Sequence, residues 1–113
     1  MKKPESIISP DKKLSVIFRV EPGCLGPEGR DHIVEFCRFS EEQLGALDSH
    51  FVQWQLIPRL DKTLPEIEYL TAAKKMNREQ AEKYLAVFGR EIDEFEEALQ
   101  ENISLFADQF FGR

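Results

Sequence analysis

Hydrophobic and polar residues alternate along Leu14-Ser15-Val16-Ile17-Phe18-Arg19-Val20, with Leu14, Val16, Phe18 and Val20 on one side and Ser15, Ile17 and Arg19 on the other. A period of two is that of a half-buried strand, so the fold is expected to begin near Lys13 with a first strand. After a glycine-containing connection, RDHIVEFCRFSEEQLGALDSHF has two readings, the return strand of a hairpin or a helix. Ile33, Phe36, Cys37, Leu44 and Leu47 fall at offsets of 0, 3, 4, 11 and 14, which a helix collects on one side. Length and period favour the helix, with Asp31 as its N-cap. Gly45 within the pattern weakens it by about 1 kcal/mol relative to alanine.

Alternation resumes with Val52, Trp54 and Leu56 facing one way and Gln53 and Gln55 the other, until Pro58 closes the ladder. PEIEYLT, residues 65–71, alternates again through Ile67 and Tyr69. The linking RLDKTLP is rich in turn formers, so the second and third strands are expected to form an antiparallel hairpin. Asn77 and Gln80 have the spacing of a capping box, and Ala81, Tyr84, Leu85 and Phe88 continue it as a helical stripe stopped by Gly89. From Glu91 onward Ile92, Phe95, Leu99, Ile103, Phe106 and Phe110 trace a second, longer stripe. The expected fold is α+β: a two-layer single domain of order β-α-β-β-α-α, with a small three-stranded sheet and the helices packed on one face. Residues 1–12, which contain Pro4 and Pro10 and lack periodicity, are expected as a flexible N-terminal arm, and residues 13–113 as the domain.

Composition sharpens this. A chain of 113 residues, 42% hydrophobic and with nine Phe, suffices for one packed core. A net charge of −6, from 21 acidic against 15 basic residues, disfavours nucleic acid and anionic lipid and suits a basic protein partner or a small ligand. No apolar run approaches the roughly 20 residues that span a bilayer, and the start lacks the apolar segment of a secretion signal, so no membrane role is expected and a cytoplasmic location is. In that compartment Cys24 and Cys37 read as unpaired thiols.

Two stretches hold candidate chemistry. EPGCLGPEGRDH sets Gly23, Gly26 and Gly29 between the first strand and the first helix, a setting in which backbone amides hold phosphate. The spacing matches neither the dinucleotide fingerprint nor the P-loop, Pro27 removes one donor, and Glu28 and Asp31 add negative charge. A ligand site here would use the amides of Gly26 and Gly29, Arg30 to pair with an anionic group, and His32 or Glu35 to move a proton. Cys37 shares the apolar stripe and so points away from His32, which argues against a thiol nucleophile. Cys24, His32, Cys37 and His50 lack zinc spacing, and neither metal nor cofactor is expected. The second stretch, REIDEFEEALQE, presents Glu94, Glu97 and Glu101 with few compensating bases, and Phe106, Phe110 and Phe111 beyond it exceed what one buried face requires. Together they form a candidate interaction face for a homodimer or a basic partner. The leading functional expectation is therefore a non-catalytic interaction or regulatory protein, homodimeric, and the alternative is an anionic-ligand-binding protein or enzyme with its site in the loop 23–32.

Overall fold

Residues 12–72 and 74–112 are described by a computed structural model; of the expected arm only Lys12 falls within them, and the side chain of Cys24 lies outside the description. Four strands, β1 (Leu14–Val20), β2 (Val52–Pro58), β3 (Ile67–Thr71) and β4 (Lys74–Met76), form one mixed sheet in the order β2-β1-β3-β4. Three α-helices, α1 (Gly29–Leu44), α2 (Arg78–Val87) and α3 (Ile92–Phe111), accompany it among the described residues. The class is α+β as expected, with a fourth strand added to the expected three.

The expected hairpin of β2 and β3 does not form. β1 lies between them, parallel to β2 with Val16 beside Trp54, and antiparallel to β3 with Val16 beside Tyr69. The reason is connectivity: α1 is a crossover long enough to return the chain parallel to β1, and residues 59–66 then pass over the end of β1 to its far side. Placing β1 centrally also buries the most regular apolar face of the chain. β4 escapes sequence reading because it is three residues long and two of them are lysines; it pairs Met76 with Tyr69 and Lys74 with Thr71.

Residues in register share a face, so Leu14, Val16, Phe18 and Val20 stand with Val52, Trp54, Leu56, Ile67 and Tyr69. The helices cover this face. At one end Phe18, Val20 and Leu56 pack against Ile33, Phe36 and Cys37 of α1 and Leu99, Ile103 and Ala107 of α3. At the other, Leu14, Val16 and Tyr69 pack against Ala81 and Leu85 of α2 and Ile92 and Phe95 of α3. Trp54 joins the two ends, stacked on Phe95 at 5.4 Å between ring centroids. The opposite face carries Ser15, Ile17, Arg19, Gln53, Gln55, Glu68 and Leu70.

Local chemistry explains the helix ends. The Asn77 side chain accepts from the Gln80 amide at 2.8 Å, and Gln80 Oε1 accepts from the Asn77 amide at 2.9 Å, closing the expected capping box of α2. Gly89, at φ 76°, occupies the left-handed region past its end. Two details of α1 differ from expectation. It starts at Gly29 and bends at His32, whose φ of −122° and ψ of 16° leave the helical region, so Asp31 lies in the first turn instead of capping it. It also ends at Leu44, which makes Gly45 its C-cap and leaves Leu47 outside the helix. Among the described residues, no helix is long and apolar enough to cross a membrane.

Candidate functional site

The parallel strands β1 and β2 finish at the same end of the sheet, Val20 beside Pro58. β1 gives way to Glu21 and a 3₁₀ turn, Pro22–Leu25, and then to Gly26 at φ 95°. β2 gives way to Arg59, whose amide donates to Val20 O at 2.8 Å and extends the ladder by one step. Between these exits lies a cleft of about 390 Å³, walled by Glu21, Pro22, Gly23, Arg30 and Ile33 on one side and Arg59, Leu60 and Lys62 on the other. The outer ends of parallel strands are where open α/β sheets commonly bind ligands.

The charges in this cleft are unequal. Arg30, Arg59 and Lys62 meet a single carboxylate, Glu21. Glu21 stands 3.5 Å from Arg59 Nη1 and 3.4 Å from Lys62 Nζ, longer than the roughly 2.7–2.9 Å of a strong charge-assisted bond. Arg59 Nη2 donates to the carbonyl of Leu64 at 3.2 Å, while its Nε is buried without a hydrogen-bond partner among the described residues. Arg30 is exposed and makes no ion pair among those residues. Leu60 projects at the rim, 79% exposed.

Of the five residues expected to hold a ligand, the cleft contains Arg30. The Gly29 amide already donates to Gly26 O at 3.0 Å, and Gly29 is buried where a Cβ would overlap the Pro22 carbonyl and lie 2.7 Å from Leu25 Cβ. Gly26 and Gly29 therefore shape the loop. Glu35 is exposed on α1 outside the cleft, and His32 packs edge-on against Phe110 and Phe111, with centroids 6.5 and 6.2 Å away. Arg59 and Lys62 are the residues that sequence reasoning missed. Their only signal was topological: a parallel β1–α1–β2 unit brings residues just past β2 beside those just past β1, whereas the hairpin reading gave them no reason to meet.

A second cleft, of about 360 Å³, lies beside β3 and β4. Its cations are already matched. Arg78 donates to both oxygens of Glu96, at 3.0 and 3.1 Å, and to Asp93 at 2.7 Å, while Lys75 pairs with Glu68 at 3.2 Å. Tyr69 donates to the same Glu96 at 2.6 Å; burial first, and this carboxylate second, push its hydroxyl far above the usual tyrosine range. That cluster locks α2 and α3 to the sheet and leaves no charge for a ligand.

On α3, Glu94, Glu97 and Glu101 are exposed. Phe106, Phe110 and Phe111 are half-buried against α1: Phe110 lies 5.7 Å from Phe36 and 5.5 Å from Phe39, and Phe106 lies 6.4 Å from Phe39. The Cys37 thiol is buried and pushed up to about 12, by desolvation first and Glu41 second, so it is held as the unreactive thiol. No group of three or more His, Cys, Asp or Glu residues converges among the described residues. No family model, curated protein or solved structure matches the chain.

Proposed function

We propose that this protein binds a small anionic ligand in the cleft between the ends of β1 and β2, as a binding protein and not through a nucleophile or acid–base pair. The observation that carries this reading is the charge imbalance there, three cations to one loosely held carboxylate, in a chain whose net charge is −6. Arg19 and Arg78 stand 2.6–3.0 Å from their carboxylates, whereas Arg59 and Lys62 stand 3.5 and 3.4 Å from Glu21. A cavity near 390 Å³ is also within the roughly 300–1,000 Å³ range of small-molecule sites. The interaction reading has less support, because exposed carboxylates are the ordinary solvated side of an amphipathic helix and the three phenylalanines already rest on α1.

Amide NMR titration with inorganic phosphate tests this reading. Saturable shifts at Arg30, Arg59 and Lys62 are expected, and an Arg59→Gln, Lys62→Gln double variant is expected to lose them while keeping the remaining spectrum. An unresponsive wild-type protein at millimolar phosphate would refute it.

A further inference from the structure

Resting on that reading, we infer that the ligand is a phosphate monoester carrying an apolar group, a small molecule with a dianionic head and a hydrophobic body. Three observations converge on it. The cleft holds an excess of two positive charges over Glu21, which complements the charge of about −1.5 to −2 on a phosphate monoester at neutral pH. Arg59 presents Nη1, held only loosely by Glu21, while the Leu64 carbonyl fixes Nη2 and so orients the guanidinium toward an anion in the cleft. The remaining walls are apolar: Pro22 and Ile33 on one side, and on the other Leu60, the most exposed large hydrophobic side chain of the described residues.

Size points the same way. Inorganic phosphate fills only a small part of about 390 Å³, and a ligand that fills more of it also meets the apolar lining, Pro22 and Leu60. The net charge of −6 selects against polyanions as well. A small ligand within a Debye length of about 8 Å senses the local cations, whereas a nucleic acid or an anionic bilayer extends over the acidic surface beyond them. Glu21 then acts as the internal competitor, holding Arg59 and Lys62 in the free protein and yielding them to the dianion.

Calorimetric titration with phenyl phosphate, inorganic phosphate and phenyl sulfate tests the inference, with vesicles containing phosphatidylserine as a further arm. Phenyl phosphate is expected to bind about tenfold more tightly than inorganic phosphate, one aromatic ring being worth on the order of 1.4 kcal/mol against the apolar wall. Phenyl sulfate, a monoanion of the same shape, is expected to bind more weakly than phenyl phosphate. Leu60→Ser, a change at an exposed position, is expected to remove the advantage of the phenyl group, so that phenyl phosphate and inorganic phosphate bind the variant with equal affinity. Glu21→Gln is expected to tighten binding of both phosphates several-fold. Equal affinity for phenyl phosphate and inorganic phosphate overturns the apolar body and leaves anion binding standing. Preference for phenyl sulfate overturns the dianionic head. Binding to the vesicles without phenyl phosphate binding overturns the small-molecule ligand, and silence in every arm overturns both this inference and the proposed function.

Discussion

Ser40 is fully buried in α1, and its hydroxyl finds no hydrogen-bond partner among the described residues. A buried, unsatisfied hydroxyl costs about 1–3 kcal/mol, and alanine at the same position removes the polar group while improving helix propensity. Ser40→Ala is expected to stabilise the protein by about 1 kcal/mol in urea unfolding. A loss of stability would mean that the hydroxyl has a partner in solution. Gly29 is the converse case, a residue whose lack of a side chain is required by the close approach of Pro22 and Leu25. Gly23, by contrast, has open space where a Cβ would stand.

Strand β2 lies at the edge of the sheet, and edge strands expose backbone groups that invite pairing with other chains. Its outward amides are nearly all occupied. Val52 donates to Asp48 O at 2.9 Å, Leu56 donates to Glu41 Oε2 at 2.9 Å, and Pro58 has no amide to offer. Helix α1 thus guards the edge with a side chain four residues beyond Cys37, in the last turn that packs over β2. Glu41→Ala is expected to cost about 1 kcal/mol and to accelerate hydrogen exchange at the Leu56 amide ahead of its neighbours. Unchanged Leu56 exchange would contradict this role. At the far edge, the brevity of β4 and its paired Lys74 and Lys75 serve the same purpose.

At the scale of the whole molecule, an acid-sensitive ion pair lies on the helix-free face of the sheet. Arg19, 8% exposed, pairs with Glu68 at 2.6 Å and donates to the Pro65 carbonyl at 2.9 Å, tying β1 to β3 and to the segment that crosses from β2. Its hydrogen bond holds the Glu68 carboxyl below the ordinary 4.5, with Lys75 adding to the effect against the opposing influence of burial. Because the folded state binds this proton less readily than the unfolded chain, the pair's stabilisation is present in full above the unfolded value. It disappears as pH falls through the lower folded value. Glu68→Gln is expected to be less stable than the wild type at pH 7, since Arg19 stays buried without its carboxylate, and the difference in Tm should narrow steadily below pH 4.5. A difference independent of pH would show that the ion pair contributes nothing to folding.

What the sequence by itself determined were the locally encoded features. Leu14 to Val20 had to be a strand with one buried face, Asn77 and Gln80 had to open a helix, and the stripe from Ile92 to Phe110 had to lie against a core, because period and capping depend on residues within a turn or two. The α+β class followed from those elements. Only the tertiary structure decided which strand neighbours which, since alternation specifies a face and never a partner. The same decision assembled the cleft: Arg30 and Arg59 are far apart in the chain and meet because α1 returns β2 parallel to β1. It also covered Phe106 and Phe110 with Phe36 and Phe39, a match of two helix faces that neither stripe alone reveals.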